Sequence, residues 1–287
     1  MRYNSCAGSA GGGLRFSWRA ILSIEPHIVK GEDDLSSETP LYKYLSTEAF
    51  LYLYHFKRLR LSRVTIWPDA FEASLFRFLR KSSAYSNFKV SDFYGSCWSL
   101  QTEDESLYED VKEYRFADAE LEKKGSAAMW ESYCKSGGVR IKTTIGKMDL
   151  LMQDELSGVA IHRGKVRYKP VETSIRRRYI RNALSAFFIK SPSFRYESEY
   201  RYLICPSTQK EDIIPVEIND VFAFIDEILI SPATPRRKWM SRTLYNMAVT
   251  SFMDPNKHTN LKNGKQFCRT SNLYGVIGET VGHYDMF

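Results

Sequence analysis

The sequence is short of the residues that usually announce a metal centre or a disulfide scaffold. Its five cysteines, at positions 6, 97, 134, 205 and 268, are odd in number, widely spaced and never form Cys-x-x-Cys. A disulfide framework or a zinc site needs closer, paired spacing, so free thiols are expected and neither metal nor disulfide is. The five histidines, at 27, 55, 162, 258 and 283, show no metal-ligand spacing either. There is no G-x-G-x-x-G, no P-loop, no H-E-x-x-H and no Ser/His/Asp arrangement, which removes the commonest signatures of nucleotide-binding and hydrolytic folds. No stretch reaches about eighteen uninterrupted apolar residues, so no membrane span is expected. The opening MRYNSCAGSAGGGLRFSWRAILSIEP is interrupted by Arg15 and Arg19 and lacks a clean cleavage site. A soluble, cytoplasmic protein with no membrane partner is the expectation.

Aromatic residues are plentiful. Eighteen Tyr and seventeen Phe in 287 residues favour strands and supply stacking surfaces. The formal charge of +7 permits a polyanionic partner without requiring one. It is concentrated in two places, Arg176–Arg178 with Arg181, and Arg236–Lys238 with Arg242. Each reads as a basic helix face, solvated or phosphate-binding.

Residues 1–39 contain GSAGGG and GEDDLSSE and read as a partly flexible N-terminal extension. A single α+β domain is expected over 40–250, with 251–287 an extension packed on it. LYKYL (41–45), LRLSRV (59–64), FYGSCWS (93–99), GVRIKTTI (138–145), KVRYKP (165–170), IIPVEI and DEILIS read as strands. Helices are expected at 47–58 with Thr47 as cap, 68–81, in part of 101–125, at 127–135 capped by Ser126, and at 146–156, 171–190 and 236–252. LYGVIGETV (273–281) could add a terminal strand. Without sustained βαβα alternation, the pattern predicts a mixed, mainly antiparallel sheet with flanking helices.

The most informative stretch is FRYESEYRYLI (194–204). Read as one strand, it sends Arg195, Glu197, Glu199 and Arg201 to one face, because successive side chains alternate. The two carboxylates would then lie roughly 7 Å apart at their β-carbons, either as a surface ladder of ion pairs or as a catalytic pair kept ionised by the arginines. Ser96 and Ser99 flank Trp98 at the end of a strand, where small hydroxyls can bind a ribose or phosphate. Met129, Trp130 and Tyr133 share a helix, with Met129 and Tyr133 one turn apart.

Taken in order, LYKYLS (41–46), LRLSRVTIWPDAFEAS (59–74), YGSCWS (94–99), MWESYCKSGGVRI (129–141), VRY (166–168), FFIKSPSFRYESEYRYLI (187–204) and DEILIS (226–231) resemble the bacterial, defence-associated DUF2971 family. The resemblance spans about 40–231 and is strongest at Lys190 followed by the E-x-E-x-R strand. It departs at WPDAFE, where the family usually carries an N-D-P-F-E-like stretch; Asp69 and Glu72 are the matching acids.

A second, less specific similarity is to ADP-ribosyltransferase toxins that act on nucleic acid. Those enzymes carry a polar residue on an early strand, a Ser-bearing strand and an E-x-E strand, matched here by Lys43, by Ser96 or Ser99, and by Glu197-Ser198-Glu199. Lys43 stands where that family commonly has Arg or His. The resemblance implies a split β core, NAD as substrate, Glu199 as the catalytic carboxylate stabilising an oxocarbenium-like state, and Glu197 orienting the acceptor. It also implies a cofactor-binding set of Lys43, Tyr44, Ser96, Trp98, Ser99, Trp130 and Tyr133. Nucleic-acid contacts are expected from Lys190, Arg195, Arg201, Arg177 and Arg181, with RNA favoured over DNA and a cognate antitoxin as protein partner. Two other classes stay open: a non-catalytic binding protein of a defence operon, and a metal-dependent nuclease using Asp69, Glu72, Glu197 and Glu199.

Overall fold

The computed structural model describes residues 35–67, 70–82, 85–101, 111–156, 159–170, 183–206, 211–236, 239–240, 243–244 and 268–271. Strand β1 (Pro40–Ser46) leads into helix α1 (Thr47–Phe56). The cap of α1 is Ser46 rather than Thr47; its hydroxyl accepts from the Ala49 N–H, and Lys57 closes the helix in the left-handed region. There follow β2 (Arg58–Arg63), α2 (Ala70–Leu79), β3 (Tyr94–Ser99) and α3 (Val111–Lys124). Next come α4 (Ala127–Tyr133), capped by Ser126 as expected, β4 (Gly138–Thr144) and α5 (Ile145–Glu155). The chain continues through β5 (Ile161–Lys165), β6 (Arg167–Tyr168), β7 (Ile189–Lys190) and β8 (Glu199–Ile204). It ends, among the described residues, with β9 (Ile213–Glu217), α6 (Val221–Phe224), β10 (Glu227–Ile230) and β11 (Cys268–Thr270).

Nine of these strands form one sheet. Its path runs β11-β10-β4-β1-β3-β2-β9, with β8 also on β3 and β5 on β8. Every pairing in it is antiparallel except β10 with β11; β6 and β7 make a separate parallel pair. The expected mixed, mainly antiparallel α+β class is what the chain adopts. β11 lies beyond residue 250 and joins the sheet beside β10, so the C-terminal part contributes backbone to the core sheet.

Alternation along β8 divides the interior in two. Tyr200, Tyr202 and Ile204 enter the main core with Trp98, Leu41, Ile141, Ile228 and Phe50. Leu203, on the opposite face, joins Phe76, Phe93 and Phe187. Each such side chain contributes about 1.5–3 kcal/mol on burial. Glu199 and Arg201 share the face of Leu203, so they lie inside the protein beneath the second cluster rather than in water. Close strand approach at one end of β1 depends on Gly138, where a β-carbon would stand 2.2 Å from the Leu45 carbonyl oxygen. No helix among the described residues is long and apolar enough to cross a membrane.

Candidate functional site

The stretch 194–204 is not one strand. Pro192–Glu197 forms a 3-10 turn, Ser198 adopts a left-handed conformation with φ 42°, and the strand begins only at Glu199. Pro192 at the start of the turn suits it, since its fixed φ favours a first helical position. The consequence is a correction to the expected ladder. Arg195 lies exposed on the turn, while Glu197 and Glu199 are both buried, at 4% and 5% exposure. A solvated surface ladder is therefore ruled out by burial.

The cation that bridges the two carboxylates is Lys190. Residues 183–190 are a 3-10 segment followed by β7, not the end of a long helix, and this places Lys190 on a strand facing the turn. Its Nζ donates to Glu197 Oε2 at 2.5 Å and to Glu199 Oε1 at 3.1 Å. Arg201 pairs with Glu199 through Nε and also donates from a terminal nitrogen to the Phe187 carbonyl at 2.6 Å. Its guanidinium lies 4.9 Å from the Trp67 ring centre. Lys190 and Arg201, expected to contact phosphates, are both buried, at 8% and 1% exposure, with their charge directed at Glu197 and Glu199. Arg177 and Arg181 lie outside the described residues.

The two carboxyl groups both accept from Lys190 and are driven apart in acidity. Burial raises the pKa of Glu197, and the neighbouring Glu199 raises it further, against the pull of Lys190. Burial also opposes ionisation of Glu199, but Arg201, Glu197 and Lys190 together outweigh it and hold its pKa below the usual carboxylate range. Of the two, Glu199 is favoured as the carboxylate and Glu197 is the more readily protonated. Tyr133 on α4 donates to Glu197 Oε1 at 3.2 Å while its ring stays 43% exposed. Tyr168, on β6, accepts at 2.7 Å from the Glu199 backbone N–H.

A break in the sheet adjoins this pair. Along one edge β3 pairs fully with β8, so that Ser99 faces Glu199 and Ser96 faces Tyr202. Along its other edge the registered pairs are at the ends: Ser99 with Tyr42 of β1, and Gly95 and Tyr94 with β2. At the interval between them Lys43 reaches in, donating from Nζ to the Cys97 carbonyl at 2.7 Å and to Ser96 Oγ at 3.2 Å. Burial lowers the pKa of the Lys43 ammonium, and the charge of Cys97 and Glu199 nearby offsets part of this.

No protein-family model, curated protein or solved structure matches this chain. The site is read from its own geometry.

The other residues singled out in the sequence divide clearly. Tyr133, Glu197 and Glu199 come together with Lys190 and Arg201; Lys43 and Ser96 meet each other at the break, with Ser96 on the face of Tyr202 rather than that of Glu199. Tyr44 and Trp130 are fully engaged in packing. The Tyr44 hydroxyl donates to Gln101 Oε1 and accepts from the Ser126 N–H, both at 2.9 Å, its ring meets Trp130 edge-on at 4.7 Å, and the Trp130 indole donates to the Lys124 carbonyl. Trp98 is buried in the main core against Phe224. The Ser99 hydroxyl accepts from the Gln101 N–H at 3.0 Å. These four are buried and held by packing or hydrogen bonds around the site. Asp69 and the Glu72 side chain lie outside the described residues.

Three contributors carried little signal in the sequence. Tyr168 lies in VRY, a strand whose partner is invisible from local pattern. Cys97, half-buried on β3, is an electrostatic neighbour of both Lys43 and Tyr133. Arg140, wholly buried, donates to Gln101 Oε1, to the Leu121 and Glu122 carbonyls at the end of α3, and to Glu227 Oε1 at 3.0 Å. It ties α3 to β4 and β10 behind Tyr44.

Proposed function

We propose that this chain is an ADP-ribosyltransferase-like enzyme that transfers ADP-ribose from NAD to nucleic acid, with RNA favoured as acceptor. One observation carries the reading: β3 lies beside both β1 and β8, Lys43 of β1 donates to Ser96 of β3 at the break between those strands, and Glu199 at the start of β8 acts electrostatically on Lys43. The three elements follow the chain order that the resemblance implies.

In this reading the bond between nicotinamide and the ribose C1′ breaks, and its electron pair leaves with nicotinamide. Positive charge develops on the ribosyl ring. Glu199 supplies a fixed negative charge for it in a water-poor setting, oriented in advance by Arg201 and Lys190. An acceptor hydroxyl or amine then attacks C1′ and gives up its proton. Glu197, raised toward neutrality, suits that step, because a base works best when its pKa lies near the operating pH. Two of the three donors of the Lys43 ammonium are committed to Ser96 and Cys97; the third serves a ribose or phosphate oxygen. An effector of this kind in phage defence or a toxin–antitoxin pair needs restraint, so a cognate antitoxin is part of the proposal.

A metal-dependent nuclease has less support. The cations beside the two buried carboxylates are Lys190 and Arg201, which already occupy the places a metal ion would take there. The test is nicotinamide release from NAD by the full chain, with and without RNA, DNA or protein. Release stimulated by RNA and lost in Glu199→Gln supports the proposal. Magnesium-dependent cleavage of RNA without nicotinamide release contradicts it.

A further inference from the structure

Away from the carboxylate pair, the corner between α1 and β2 carries an exposed surface of rings and cations. Tyr52 and Phe56 are four residues apart, so they share one face of α1, and their ring centres are 4.9 Å apart. Phe56 is 54% exposed. Arg60, exposed on β2, lays its guanidinium 3.5 Å from the centre of the Tyr52 ring. His55 meets Phe56 edge-on, and Lys57 is exposed where the helix ends. Packing does not explain these rings, since the core side of α1 is supplied by Phe50 and Leu53.

The charge around them is mainly positive. Residues 49–60, AFLYLYHFKRLR, contain no Asp or Glu. Two acids border the corner: Glu48, exposed one helical turn before Tyr52, and Glu217 of β9, paired with Arg58 at 2.7 Å. An apolar protein partner would call for rings without the cations, and a duplex would call for cations without a stacking platform. Flat exposed rings combined with a stacked guanidinium and further cations match an unpaired base with its phosphate.

We infer that the Tyr52–Phe56–Arg60 corner is a binding surface for single-stranded nucleic acid, stacking one or two unpaired bases and contacting the adjoining phosphates. The inference rests on the acceptor class proposed above and assigns the residues that hold it at a distance from the chemistry.

The test is fluorescence anisotropy of the full chain with a labelled 12-nucleotide oligouridine and a 12-base-pair RNA duplex, without NAD. The native chain binds the single strand more tightly than the duplex. Phe56→Ala and Arg60→Ala each weaken single-strand binding by about 5- to 150-fold, the range for loss of one base-stacking partner. Arg60→Lys keeps the charge, loses the planar stack and shows an intermediate loss. Phe78→Ala, at an aromatic 62% exposed on α2, leaves binding unchanged. Equal affinity across all variants, a duplex bound as tightly as the single strand, or binding to neither overturns the inference. A chain that modifies RNA while every variant binds it equally refutes this surface and leaves the transferase standing. One that binds as described but releases no nicotinamide does the reverse.

Discussion

Glu197 and Glu199 flank a left-handed Ser198, and their carboxyl groups both accept from the Lys190 ammonium, at 2.5 and 3.1 Å. The two acids are near neighbours in the chain and opposites in charge state. That asymmetry sets how each should respond to substitution.

Replacing Glu199 by Gln removes the one full negative charge facing two buried cations. Breaking a buried pair from one side costs about 3–5 kcal/mol, so Glu199→Gln should lower the thermal midpoint sharply as well as abolish activity. Glu197→Gln exchanges a protonated carboxyl for a neutral isostere and should cost about 1 kcal/mol or less near pH 5. Thermal melts of the two variants at that pH check the contrast. Equal destabilisation would show that the proton does not reside on Glu197.

Lys190→Met leaves two buried carboxyl groups facing Arg201 alone. The expected loss is about 3–5 kcal/mol, with the pKa of Glu199 rising because one of its cations is gone. Acid titration of the variant followed by circular dichroism should show its unfolding begin at higher pH than in the native chain.

Glu197 also predicts a pH dependence of stability. Its pKa is raised from 4.5 to about 7, so between those values the folded chain keeps a proton that the unfolded chain has lost. Stability contributed by this group is complete below pH 4.5 and is lost as pH rises through about 7. Glu199 acts in the opposite sense and only on the acid side, its lowered pKa costing stability as pH falls below the ordinary carboxylate range. Chemical denaturation at a series of pH values should therefore show a downward slope from pH 4.5 to 7 that Glu197→Gln flattens.

Arg140→Met tests the support behind the site. Four acceptors, among them carbonyls near the end of α3, each lose one hydrogen bond, and Glu227 loses its buried cation. About 3–5 kcal/mol of destabilisation is expected, with the difference in acidity between Glu197 and Glu199 unchanged in the folded protein.

Much of this arrangement could be read in the sequence because β8 is flanked on both sides by strands. Its alternation places Glu199 and Arg201 together whatever the neighbours are. The same alternation misled one residue earlier. Ser198 turns left-handed without being glycine, and residues 194–197 keep a strand-like pattern while forming a 3-10 turn. Lys190 was hidden for a related reason: VETSIRRRYIRNALSAFFIK carries a helical rhythm to its end, yet the chain is extended at Ile189–Lys190. Burial of the pair was not legible either. The second cluster of Phe76, Phe93 and Phe187 that covers this face is assembled from three distant segments, and no local window contains it. Lys43 lay in an ordinary strand; that it reaches toward Ser96 depends on where β3 leaves β1 for β2.

The most direct test of the central claim is transfer of ³²P from labelled NAD to RNA, followed by digestion to nucleotides, with activity normalised to the folded fraction of each variant. The account predicts label on RNA with the native chain, a loss of about a hundred- to a thousandfold in Glu199→Gln, as for removal of a principal electrostatic stabiliser, and a smaller loss in Glu197→Gln. Undiminished transfer by folded Glu199→Gln, or no label on RNA, DNA or protein with the native chain, would contradict it.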